Sequence, residues 1–288
     1  MFHQGKRLAI VLLSLAAVAT AAAKVPTAPQ AFVDTSYVVA PREAGGFTLE
    51  HSSYDPGRRL TGASFQYRLA EHPDVVVSVY VYAAGRMAPD DALATGMQAF
   101  RTDLQHAVDA GTYAQLEERG QTGFALSPAD VPAPTTQRGV DDATLSAIIG
   151  PDRVSGQKLR LDMQHTNSRQ ALLSNGYLFY RQLYYVKVRV SAFRTLLADT
   201  AFDALADRAA RALVPAMQVV NVGGCANATI HLDVNATPAQ SAAELSRQWR
   251  VHKGYNCYAS AEEAGIAERT RRADVIPIHY DASDWTSQ

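Results

Sequence analysis

Cysteine is scarce in this 288-residue chain: there are two, Cys225 and Cys257. They are too far apart for a C-x-x-C motif, which argues against paired-thiol redox chemistry and against a cysteine-rich zinc site. An excess of charge of one sign is also missing. Lys and Arg together number 27 and Asp and Glu 28, for a formal net charge of −1. A chain so balanced has no global attraction to nucleic acid or to anionic lipid, so no nucleic-acid partner is expected. There is no H-E-x-x-H, no G-x-S-x-G elbow and no Ser-x-x-Lys with its usual companions. No internal repeat of fixed period is visible. Recognised catalytic motifs are therefore absent, and the leads lie in targeting, patterning and the cysteine pair.

Residues 1–23 carry the strongest signal. Lys6-Arg7 gives a basic start, Leu8 to Val18 is apolar apart from Ser14, and Ala21-Ala22-Ala23 precedes Lys24. These are the three regions of a secretory signal peptide, with cleavage expected after Ala23. The apolar run is short for a membrane span, and no cysteine lies near the cut to take a lipid. The expected product is released to the periplasm or the cell exterior with no stable membrane anchor. In such an oxidising compartment Cys225 and Cys257 are expected to pair. Closing a loop of roughly 30 residues is worth about 3–4 kcal/mol on the chain-entropy account.

With 47% hydrophobic residues, the chain is able to bury a substantial core. Residues 24–45 contain Pro26, Pro29 and Pro41 with little periodicity, and read as a mobile or edge-running arm. Three strands then alternate: Phe47 and Leu49; Phe65, Tyr67 and Leu69; Val75, Val77, Val79 and Val81. The turns at Tyr54–Gly57 and His72–Asp74 make these an antiparallel meander. The third strand is apolar on both faces, so it is expected to be central and covered on both sides. Pro89-Asp90-Asp91 opens a helix whose stripe is Leu93, Met97, Phe100, Leu104 and Val108, ending at Gly111. A shorter helix is expected over Thr112–Arg119 with Gly120 just beyond it. Thr122–Leu126 reads as a strand, Ser127–Gly139 as a loop, and Leu145, Ala147 and Ile149 as another strand.

Further strands are expected at Leu159–Met163 and Tyr184–Val190, with Asn175-Gly176 as a turn dipeptide between them. Asp199 or Thr200 caps a helix carrying Phe202, Leu205, Ala209, Leu213 and Met217, which Pro215 kinks or ends. Gly223-Gly224 marks a boundary. After it come a strand (Ile230, Leu232, Val234) and a helix with the capping box Thr237–Gln240, whose apolar side is Leu245 and Trp249. A second capping box, Ser260–Glu263, starts a short helix, and Val275–Tyr280 forms a last strand. The divisions are therefore a signal peptide (1–23), an N-terminal arm (24–45), a main α+β domain (46–222) and a C-terminal extension or small module (223–288).

The stretch from Leu60 to Leu69, the strand Val75–Tyr82, the helix after Pro89, and the strand Tyr184–Val190 followed by a terminal helix resemble uncharacterised secreted bacterial proteins. More distantly, their order is similar to that of PsbP/Mog1-like domains. The resemblance covers roughly residues 45–220. It implies an antiparallel sheet flanked by helices, and binding or assembly roles rather than a fixed catalytic set.

Candidate chemistry is thin. Beyond His3 the histidines are His51, His72, His106, His165, His231, His252 and His279. His231 and Asp233 share a face of the expected strand, and His252 approaches only through the disulfide; no metal or cofactor is expected. The carboxylate pairs Asp90-Asp91, Asp141-Asp142, Glu117-Glu118 and Glu262-Glu263 sit at element starts or on exposed turns, where acids cap helices. Arg58-Arg59 and Arg271-Arg272 are the basic pairs. Tyr185, Lys187 and Arg189 share one strand, and a basic, tyrosine-bearing sheet face binds anionic sugars or peptides. The alternative is that helices cover this face and the long stems snorkel. The expected fold is α+β: an antiparallel sheet with helices, and a disulfide-linked C-terminal extension. The expected function is a non-enzymatic envelope module binding a protein or small ligand, with a hydrolase assembled only in three dimensions as the alternative.

Overall fold

The computed structural model describes residues 31–126, 154–227 and 229–285. The expected signal peptide, the loop at 127–139, the strand at 145–149 and the pair Asp141-Asp142 lie outside the described residues. The fold is α+β, built on two sheets. The first has eight strands, every neighbouring pair antiparallel, in the order β2-β3-β4-β5-β9-β8-β7-β6. They are β2 (Glu43–Ala44), β3 (Phe47–Tyr54), β4 (Ala63–Leu69), β5 (Val76–Ala83), β6 (Tyr113–Ala125), β7 (Ser155–His165), β8 (Ala171–Arg181) and β9 (Tyr184–Phe193). The second has four strands, β11 (Cys257–Tyr258), β10 (Gln218–Val222), β1 (Thr35–Pro41) and β12 (Ala273–His279), in that order. The helices are α1 (Pro89–Asp109), α2 (Asp199–Ala216), α3 (Pro238–Gly254) and α4 (Ile266–Thr270).

The period-2 alternation of β4, β5 and β9 sends Phe65, Tyr67, Val77, Val79, Val81, Val186, Val188 and Val190 to one face. There they form a core with Phe202, Leu205, Ala209 and Leu213 of α2 and with Val38 and Ile278 of the second sheet. The opposite face carries Leu159, Leu161, Met163, Leu178 and Tyr185 against Ala92, Met97, Phe100 and Leu104 of α1. Helix α1 is the crossover from β5 to the far edge strand β6, after which β7, β8 and β9 return to pair with β5. Strand β5 is central, but Val76 on its second face is 55% exposed, so cover there is partial.

Several expectations fail for identifiable reasons. Residues 113–119 are not a helix. They form the start of β6, because pairing with β7 outweighs the helical preference of Leu-Glu-Glu-Arg, and Gly120 sits at a register shift. Asn175-Gly176 is not a turn but the interior of β8. A Cβ on Gly176 would lie 2.3 Å from the Phe100 ring, so glycine lets α1 approach the sheet. The β8–β9 turn instead falls at Gln182 and Leu183, with φ of 54° and 72°. This is the left-handed pair usually supplied by Asn-Gly. The strain is offset by tertiary bonds: Val219 N donates to Gln182 Oε1 at 2.6 Å, and Leu183 is fully buried.

The described part of the N-terminal arm divides: Glu43–Ala44 is the edge strand β2 of the large sheet, whereas residues 35–41 are interior to the second sheet. Strand β1 lies between β10 and β12, with Val38 and Ala40 fully buried. Residues 230–234 form no strand. The Ser260–Glu263 box makes reciprocal bonds (Glu263 N to Ser260 Oγ, Ala259 N to Glu263 Oε2) but closes a turn, and the helix starts at Ile266. The disulfide forms as expected, with Cα atoms 5.8 Å apart, joining the 3-10 turn Gly224–Ala226 that follows β10 to β11. Strands β11 and β12 thus tie the C-terminal residues into one sheet with β1 and β10. No described helix is long and apolar enough to cross a membrane.

Candidate functional site

The three residues expected to bind ligand come together under α1. Tyr185 is 6% exposed, and its hydroxyl donates to the Ala92 carbonyl at 2.8 Å. Lys187 Nζ sits 5.0, 5.4 and 4.8 Å from the ring centroids of Tyr80, Tyr82 and Phe100, and 3.5 Å from Asp103 Oδ2. Burial lowers its pKa from the usual lysine value, and the Asp103 carboxylate opposes that shift. Arg189 donates to Tyr113 Oη at 2.9 Å and to Ser174 Oγ at 3.2 Å. Around these three residues the face is largely covered, its cations lie against aromatic rings, and its polar atoms bond internally. This is the snorkelling arrangement rather than an open basic surface.

A second polar cluster lies on the α2 side and was not anticipated. Lys158, 3% exposed, places Nζ 2.8 Å from Asp203 Oδ1 and 2.6 Å from Asp207 Oδ1. Asn175 Nδ2 donates to Asp203 at 2.7 Å and Tyr177 Oη to Asp207 at 2.5 Å. Burial pushes the Asp203 carboxyl up, but the bonds from Lys158 and Asn175 outweigh it and hold the pKa below the usual value. Burial, reinforced by the bond to Asp207, raises the Tyr177 phenol far above its usual value. The available signal was Asp203 and Asp207 at i, i+4 beside an otherwise apolar helical stripe. Each donor here faces an acceptor, so the cluster locks β7 and β8 to α2.

A surface hollow of about 400 Å³ is lined by Tyr54, Pro56, Arg59, Pro277 and His279. Behind it the hydroxyls of Tyr184 and Tyr280 bond to each other. Arg59 is matched by Asp281 and Asp284, and His279 Nδ1 lies 3.0 Å from Thr35 Oγ1. The other basic and acidic pairs are also engaged or exposed. Arg58 pairs with Asp55, Arg271 and Arg272 with Glu268, and Glu118 with Arg101. Asp90 and Asp91 stand in the first turn of α1. Among the described residues no three His, Cys, Asp or Glu side chains gather to hold a metal, and His231, Asp233 and His252 do not form such a group.

The open feature is the C-terminal appendage. Thr237 and Gln240 form a full capping box at the start of α3. Yet α3 buries none of its residues. Leu245, Trp249 and Val251 are 43%, 52% and 43% exposed, and the preceding segment exposes Leu232 (44%) and Val234 (95%). Gln248, on the inner side of α3, holds that segment by accepting from His231 N at 2.9 Å and donating to His231 O at 2.6 Å. Helix α3 thus docks through polar bonds and turns its Leu245–Trp249 stripe to solvent.

No protein-family model matches the chain, and no curated protein is found to be similar to it.

Proposed function

We propose that this chain is an exported, non-catalytic module that assembles with a partner protein of the cell envelope through its C-terminal appendage. The observation that carries this reading is a clustering of apolar surface. Five of the eight exposed large hydrophobic side chains among the described residues fall within residues 232–251. Scattered apolar side chains are ordinary on a surface, but a concentration of them marks an interaction site. Trp249 is the residue type most enriched where binding energy concentrates.

Export rests on the basic, apolar and small-residue sequence of residues 1–23, and the Cys225–Cys257 disulfide is compatible with a periplasmic or extracellular location. The resemblance of residues 45–220 to PsbP/Mog1-like domains points toward binding and assembly as well. A second reading, binding of a small ligand, attaches to the hollow beside Arg59 and His279, where apolar walls meet two polar groups.

The test is affinity capture after cross-linking in the native envelope, with wild type and with the double variant Leu245→Ser, Trp249→Ser. A stoichiometric partner captured by wild type and lost in the folded variant is expected. Equal capture by both removes the appendage from the account.

A further inference from the structure

The hollow beside Arg59 and His279 is built by both sheets. Tyr54 ends β3, the 3-10 turn Pro56–Thr61 supplies Pro56 and Arg59, and β12 supplies Pro277 and His279. Three of its five lining side chains are flat rings of apolar surface, and its volume of about 400 Å³ lies in the range of small-molecule pockets. The two polar groups are held from outside the hollow. Arg59 Nε donates to Asp284 and Nη2 to Asp281, which leaves Nη1 with no partner among the described residues. His279 Nδ1 bonds Thr35 Oγ1 at 3.0 Å, which leaves Nε2 in the same condition. A guanidinium and an imidazole fixed in this way lose little freedom on binding, so the site is pre-organised.

We propose that this hollow binds a neutral saccharide. The proposal rests on the small-ligand reading above and names the ligand class. Charge makes the selection. Asp281 and Asp284 together face the single charge of Arg59, while Asp55 is matched by Arg58. An anion would meet that surplus of negative charge. An organic cation, whose nitrogens only donate, would find no acceptor on Arg59 Nη1. A hydroxyl both donates and accepts, so it serves Arg59 Nη1 and either tautomer of His279 through Nε2. The C–H face of a sugar ring is apolar and carries partial positive charge. It therefore suits the negative face of the Tyr54 ring and the flat sides of Pro56 and Pro277.

Saturation-transfer NMR titration of the disulfide-bonded chain tests this. The probes are soluble neutral oligosaccharides of glucose, galactose, mannose and N-acetylglucosamine, with oligogalacturonate as the anionic probe and spermidine as the cationic one. His279→Ala removes an exposed polar group at the end of β12. Tyr54→Leu keeps apolar volume but removes the ring, and an unchanged urea midpoint for His279→Ala shows that its fold is intact. Saturable binding of a neutral oligosaccharide, weakened at least ~10-fold by each variant, supports the proposal. No saturable binding of any neutral probe, tighter binding of oligogalacturonate or spermidine, or neutral binding indifferent to either variant overturns it. If a charged probe binds instead and depends on His279, this proposal fails and the small-ligand reading stands. If no probe binds, both fall.

Discussion

At the scale of single residues, the buried Lys158 and the half-buried Lys187 illustrate how this protein accommodates interior charge. Lys187 lies against three aromatic rings with one carboxylate at 3.5 Å, whereas Lys158 is held by two carboxylates at 2.6 and 2.8 Å. Removing one partner of a buried ion pair strands the other, at a cost of about 3–5 kcal/mol when both are fully buried. Asp203 and Asp207 have side chains 35% and 33% exposed, so water offsets part of that cost. Lys158→Ala is expected to lose about 2–3 kcal/mol in urea unfolding. The same network has a pH signature. Because the folded-state pKa of Asp203 is lowered, its contribution is full above the unfolded carboxylate value and is lost as pH falls through the folded value. Stability of the wild type should fall more steeply below pH ~4 than that of Asp203→Asn, measured as unfolding free energy against pH.

Elements were legible where a single period dominates and obscure where tertiary pairing decides. Strands β3, β4, β5, β7 and β9 and helices α1 and α2 follow from alternation or from a 3.6-residue stripe, because each buries one face. The end of strand β6 was legible at Thr122–Leu126, but its first half was hidden because Leu116, Glu117, Glu118 and Arg119 suit a helix, and only pairing with β7 selects the strand. Gly176 misled because a turn glycine and a close-approach glycine look alike in sequence. Its role makes a specific prediction. Gly176→Ala should force Phe100 or α1 to shift and cost about 1–3 kcal/mol by overpacking, read as a lower urea midpoint with unchanged slope. At α3 the capping box was legible, but the fate of Leu245 and Trp249 was not. An apolar stripe implies burial, yet here it faces solvent, and only the three-dimensional arrangement exposes it. In the candidate site, the Tyr185–Lys187–Arg189 grouping was visible from its strand, but its cover by α1 depends on a crossover that no local pattern encodes.

At the scale of the molecule, the first and last described strands, β1 and β12, pair in one sheet. Strand β1, from the sequence that read as a loose arm, is clasped by β10 and β12, and the disulfide fixes β11 at the far side. The second sheet and α2 thereby close one face of the large sheet, α1 covers much of the other, and the ion pairs on both are internally matched. What remains outward is the appendage, which the disulfide holds against β10. The central claim is that this appendage is the contact surface of an assembly module. It is tested most directly by replacing Trp249 with a photo-crosslinking amino acid in the full chain within its native envelope, with Asp90 on α1 as the control position. The account predicts discrete adducts from position 249 and none from position 90. No adduct at 249, or the same adducts from both positions, would contradict it.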